Sequence, residues 1–209
     1  MPRKRRDPRS NSGNRPPNGS RRRPPSNKTA IDVSRIAGGH GWMLVHPPCV
    51  RERSEDLEEV RKMLAAEEHD AARDELRWLL EGCSELIEAH FLLGKLAVEV
   101  DGDIPLGRGH FGIGYQLGVR ARQRRGEPLP MPALHPANRF FFDAGRGLAW
   151  CLNELGKGEM AAEVVAYLLG CDPADPLRLR GWIDELQADP LPLVTLEAPP
   201  RRSEPGDAQ

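Results

Sequence analysis

Gly107-Arg108-Gly109-His110-Phe111-Gly112 has the G-x-G-x-x-G spacing with which backbone amides cradle a pyrophosphate. Glu127 follows about twenty residues on, where a ribose-binding acid would stand. That chemistry needs the glycines at a strand-to-helix turn, so that the start of the next helix faces the phosphates. Here Asp101–Leu106 intervene and the upstream residues are in helical phase, so the motif reads as part of a helix. His40, His46 and Cys49, with Cys83 or His90 as a fourth ligand, could hold a metal, but their spacing matches no zinc pattern. Cys49, Cys83, Cys151 and Cys171 show no C-x-x-C pairing, and two or three of them fall on apolar helical faces, so buried, reduced thiols are expected. No serine or cysteine has the local setting of an activated nucleophile. The expectation is a non-enzyme with no catalytic residue, no metal and no cofactor.

Charge is distributed unevenly. Residues 1–28 hold ten Lys/Arg (Arg3, Lys4, Arg5, Arg6, Arg9, Arg15, Arg21, Arg22, Arg23 and Lys28) against Asp7 alone, a net +9. The chain as a whole carries −1, which leaves −10 for the rest. Apart from Met1 this stretch has no aliphatic or aromatic side chain to bury, so it reads as a disordered tail. Clustered cations of this kind neutralise nucleic-acid phosphates without reading bases, and Arg3, Lys4, Arg5, Arg6, Arg21, Arg22 and Arg23 are the candidates for such nonspecific contact. Solubilising charge and attraction to the acidic body are the other readings. No run approaches the roughly 18 apolar residues of a membrane span, and no apolar stretch follows the charged start as in a signal peptide. A cytoplasmic protein without membrane contact is expected.

Residues 29–53 form a transitional arm in which Gly38, Gly39, Gly41, Pro47 and Pro48 punctuate the apolar run Trp42–Val45. Periodicity over so few residues leaves open a strand or a plug against the first helix. Ser54 then reads as an N-cap followed by Glu55 and Asp56, opening a helix to about Ala66 with Leu57, Val60, Met63 and Leu64 on one stripe. Further helices follow a break at Glu68-His69 (Ala72, Leu76, Leu79), over about 85–100, and after the Asp101-Gly102-Asp103 turn, with Pro105 in the first turn. The last of these contains Gly107, Gly109, Gly112, Gly114 and Gly118, so either neighbours approach its backbone closely or it is loose. Residues 126–140 make a proline-rich loop. Phe140–Phe142 open a helical pair that turns at Gly156 and Gly158 and ends at Asp172-Pro173, and Asp175-Pro176 starts a capping helix over about 177–187. Residues 188–209, with five prolines, read as a second disordered tail.

Ala72, Gly107 and Ala161 share one slot, each four residues before a bulky side chain (Leu76, Phe111, Val165) and seven before Leu79, Gly114 or Leu168. The intervals, 35 and 54 residues, are one 34-residue period with one inserted residue and one with twenty. With Leu93-Gly94, Ala149, Leu155-Gly156 and Asp172-Pro173, these positions make residues 54–187 resemble the tetratricopeptide (TPR) family. The resemblance implies an all-α solenoid of about three helical hairpins with a capping helix. It also implies a groove, lined by each unit's first helix, that holds a peptide or partner protein. By motif position the groove side chains are Arg61, Glu88, Phe91, Lys95, Glu99, Arg146, Trp150 and Asn153. The spacings 88/91/95/99 and 146/150/153 independently put each set on one helical face.

Overall fold

The computed structural model describes residues 29–186; the tails expected at 1–28 and 188–209 lie outside these described residues. The described chain is mostly helical. A β-hairpin (β1, Asp32–Arg35; β2, Trp42–Val45) and a short helix (α1, Pro48–Glu52) precede three helical pairs. These are α2 (Ser54–Ala65) with α3 (His69–Gly82), α4 (Ile87–Glu99) with α5 (Ile104–Arg124), and α6 (Arg139–Glu154) with α7 (Gly158–Cys171). A last helix, α8 (Leu179–Leu186), packs on α7.

Each pair reverses through one residue with a left-handed backbone: Glu67 (φ 60°), Gly102 (φ 67°) and Gly156 (φ 70°). These turn residues are 35 and 54 apart, the same intervals as the small-residue slot, and each lies five residues before it. In the first and third turns the N–H of Glu68 and of Lys157 reaches back five residues, to Met63 and Leu152 at 2.9 and 2.8 Å. This closure satisfies carbonyls left open at a helix end. In the second turn Asp103 reaches back six residues to Ala97, at 2.7 Å, which places the inserted residue at the end of α4. The slot residues Ala72, Gly107 and Ala161, and their partners Leu76, Phe111, Val165, Leu79, Gly114 and Leu168, are all buried.

Helix α5 packs against both α4 and α6, which also touch each other. Its glycines divide into two groups. A Cβ on Gly107 would stand 2.4 Å from the Val98 side chain, one on Gly118 2.2 Å from the Phe141 ring, and one on Gly114 3.2 Å from the Ala144 Cβ. Gly109 has nothing within 4 Å and Gly112 only Leu148 at 3.8 Å. So the close-approach reading holds for three of the five, and nothing in the structure explains Gly109. The Phe111 side chain lies between two further glycines: a Cβ on Gly94 of α4 or on Gly147 of α6 would fall 2.7 or 2.8 Å from its ring.

The arm is neither a plug against the first helix nor irregular. β1 and β2 pair antiparallel, with Val33 opposite Leu44, and one face of the hairpin buries Ile31, Val33 and Leu44 against Tyr115, Phe141 and Met131. The proline-rich segment holds this hairpin in place. Buried Asn138 accepts from the Leu44 N–H (2.9 Å) and donates to the Trp42 and Pro132 carbonyls (3.1 and 2.9 Å). Trp42 N–H donates to Pro130 O and Met131 N–H to Cys171 O. Two cap assignments change. Ser54 is already inside α2, behind Arg53, and makes no side-chain cap. Asp175 caps α8, accepting from Leu179 and Arg180 N–H at 2.6 and 3.1 Å, but from one turn before a helix that starts at Leu179.

The glycine geometry makes a paired test. Gly147→Ala drives a methyl into a ring held on all sides and should lower unfolding free energy by about 1–3 kcal/mol. Gly109→Ala meets open space and should raise it by up to about 1 kcal/mol. Urea denaturation of the two variants beside the parent reads both signs.

Candidate functional site

The side chains assigned to a groove come from α2, α4 and α6, and contacts connect four of them, Arg61, Glu88, Phe91 and Arg146, across those helices. Arg61 of α2 donates to Glu88 of α4 through Nε and Nη2 (2.9 and 2.5 Å) and to Glu58 on its own helix (2.7 Å). Phe91 of α4 meets Phe140 of α6 with ring centroids 5.6 Å apart, and Phe111 from below at 5.9 Å. Along α6, Asp143 lies between Arg139 and Arg146 at 3.4 and 3.7 Å. The Arg146 guanidinium stands 5.3 Å from the centre of the Trp182 ring of α8. Lys95 and Glu99 pair with each other at 3.5 Å, and Asn153 is half-buried farther along α6.

Two assignments change in character. Phe91 is 5 % exposed and Trp150 8 %, so neither is an aromatic displayed to solvent. Both belong to the core cluster that also takes in Leu57, Val60 and Leu92. Helix α4 touches α3, α5 and α6, so it has apolar residues almost all round and no wide solvent face for Phe91 to occupy. Three residues that sequence reading left out belong to the face: Arg139, Asp143 and Trp182. The first two are visible in hindsight, since 139, 143, 146 and 150 share one helical stripe, whereas Trp182 arrives from a separate helix.

The electrostatics of this face are those of buried pairs. Burial pushes the Glu88 carboxyl above the usual carboxylate range despite Arg61, and pushes Asp143 up despite Arg146 and Arg139. Burial also lowers the pKa of Arg146, with Asp143 working against it. The charges largely cancel, so the face is polar without being a strong field of either sign. Two N–H donors stand out. Arg146 Nε and Trp150 Nε1 are buried and find no acceptor among the described residues. They lie one helical turn apart on α6, and a buried unmet donor costs about 1–3 kcal/mol.

The groups considered for chemistry are placed elsewhere. The glycine motif lies inside α5 and its upstream neighbour is α4, not a strand. Cys49 and Cys83 are joined in a disulfide, Cα atoms 5.8 Å apart, which corrects the expectation of four reduced thiols. His46 Nε2 is bonded to Ala137 O at 2.9 Å and His90 Nε2 to Ser84 O at 3.4 Å, while His40 is exposed. Burial lowers the pKa of His46 and His90. Among the described residues no three of His, Cys, Asp or Glu cluster as metal ligands. Cys151 and Cys171 are buried, which pushes each thiol up to about 12, far from the thiolate that reacts.

A thiol count tests this arrangement. Ellman's reagent should find no reactive thiol in the native, unreduced protein, two after unfolding without reductant, and four after unfolding with it. Four thiols on unfolding alone would show Cys49 and Cys83 to be unbonded. Compared with family models, with curated proteins and with solved structures, the chain matches none.

Proposed function

We propose that residues 54–186 are a short TPR-like solenoid that acts as a non-catalytic interaction module, holding a peptide or partner-protein segment across the α2–α4–α6 face. The observation that carries this reading is the pair of buried donors, Arg146 Nε and Trp150 Nε1, in a face shared by the first helix of every pair. Backbone carbonyls or a carboxylate of an extended chain are the acceptors they lack. The recurrence of turn and small-residue slot at the same intervals supports the repeat reading, and Arg61–Glu88 and Phe91–Phe140 tie the successive first helices into one surface. Trp182 lies over Arg146, so an incoming segment takes the place of that ring. No described helix is long and apolar enough to cross a membrane. A reducing compartment would hold Cys49 and Cys83 as thiols, so their disulfide favours an oxidising setting over the cytoplasm.

Affinity capture from the source lysate with the full chain tests the groove. Arg146→Lys keeps a cation beside Asp143 but removes the Nε donor, and should lower recovery of bound protein at least tenfold with a much smaller fall in urea midpoint than loss of the charge would cause. Undiminished capture by a folded Arg146→Lys protein sinks the assignment.

A second reading is nucleic-acid association through the N-terminal arginines, which lie outside the described residues; the +9 charge of residues 1–28 favours it. The other basic cluster, at the end of α5, is structurally engaged. Arg122 is buried over the Tyr167 ring, Arg124 donates to Ile31 O, and Arg125 pairs with Asp32 at 2.7 Å. Phosphate contact is therefore assigned chiefly to the tail, with Arg120 an exposed cation of the α5 end. If about six phosphates are neutralised, RNA affinity should fall about a thousandfold between 50 and 200 mM salt. Deleting residues 1–28 should abolish retention; unchanged retention removes this reading.

A further inference from the structure

The outer face of α5 takes no part in the α2–α4–α6 face, and among the described residues its apolar side chains stand uncovered. Ile113 is 47 % exposed and Leu106 45 %. With Gly109, Gln116 and Arg120, all exposed, they recur every three or four residues along one line of the helix. That is the spacing of a seam between two paired helices. A shallow groove of about 300 Å³ runs beside the line, with Leu117 of α5 and Leu148 of α6 in its wall. Gly109 and Gly112 leave a notch in it: a Cβ on the first would meet nothing within 4 Å, and on the second only Leu148 at 3.8 Å. Within one chain Gly109 weakens the helix and gains no close contact in return, so the space above it is open to a side chain from outside.

We infer that this face docks a second copy of the chain, α5 against α5 in an antiparallel, two-fold symmetric pair. Shape is the first reason. The face carries a protruding Ile113 and a notch about one turn away, so two copies related by a two-fold axis fill each other's notch at once. Charge is the second. Asp103 at the start of α5 uses one oxygen on the Leu106 N–H, at 2.9 Å, and its other oxygen has no donor among the described residues. Arg120, four turns on, has no hydrogen bond or ion pair among them either, nor has Arg108. Antiparallel pairing sets each Arg120 at the acidic end of the other copy, whereas parallel pairing would set like charge on like.

The two reasons agree on one alignment. On antiparallel helices a single facing pair fixes all the others. Ile113 seated over the gap between Gly109 and Gly112 of the other copy brings Arg120 level with Asp103. The same position brings Gln116 level with Arg108, and Leu106 level with Leu117 in the groove wall. The fit to the notch and the match of charges thus demand the same register, which an unrelated helix would have to reproduce. Bare backbone at the notch also lets the two axes approach toward the short end of the usual range of about 8–10 Å. One helix pair is small beside the roughly 1,200 Å² of a stable interface, so the dimer forms at micromolar concentrations.

Sedimentation equilibrium of the full-length protein, over about 1 to 300 µM, tests this. Monomer and dimer alone should be present, with a micromolar dissociation constant. Ile113→Asp should weaken association at least tenfold without moving the urea midpoint, since that side chain is half-exposed in the monomer. Arg120→Glu should weaken it at least threefold. Gln116→p-benzoylphenylalanine, irradiated at high concentration, should give a crosslinked dimer whose bridge maps by mass spectrometry to residues 104–111 of the other copy. A monomer at every concentration, assembly beyond the dimer, or association undiminished by Ile113→Asp overturns the proposal. Bridges that map to residues 113–120 show parallel pairing and overturn it equally.

Discussion

The Phe111 ring sits directly on the backbones of two other helices, with Gly94 beneath it on α4 and Gly147 on α6. This seat sets the separation of the three central helices, and most of the structure follows from it. A ring occupying space that side chains would otherwise fill lets α4, α5 and α6 meet pairwise, so that residues as distant as Glu88 and Arg139 lie on one surface. It also accounts for helices rich in a residue that disfavours helix. Each helical glycine costs up to about 1 kcal/mol relative to alanine, and close burial of an aromatic ring is the compensation. The same device recurs where Gly118 receives Phe141 and Gly145 meets Leu168 and Tyr115.

Much of this was legible in the sequence, and the legible part has a common cause. The small-residue slot at 72, 107 and 161 and the apolar stripes around it depend on local helical spacing, so they place α2 to α7 within a few residues of their observed ends. Exposure depends on which sides of a helix are covered, and spacing does not carry that. Phe91, Lys95 and Glu99 do share a face by periodicity, yet α4 is enclosed by three neighbours, and its aromatic turned out to be core. Trp150 of α6 is buried likewise. Pairings across long separations were equally hidden: Arg61 with Glu88, Cys49 with Cys83, and Asn138 with the hairpin 94 residues earlier.

The insertion of twenty residues between the second and third pairs gains a purpose from the arm. A proline-rich stretch cannot pair regularly, because its prolines donate nothing, yet its carbonyls remain acceptors. Trp42 N–H and the Asn138 amide use them, so the segment serves as a frame that the hairpin docks against. The arm and the loop both lie outside the helical pairs, and each satisfies polar groups of the other.

The Cys49–Cys83 bond joins α1 to the residue that follows α3, and so encloses the whole first helical pair. Among the described residues, α2 and α3 meet the central helices chiefly through α4, and a helical pair held on one side is ordinarily the first to peel away. Here both ends of that pair are stitched together. Should it come undone, it swings out as a closed hoop rather than a trailing strand. It then keeps far fewer arrangements open to it and has only a short way back to its berth.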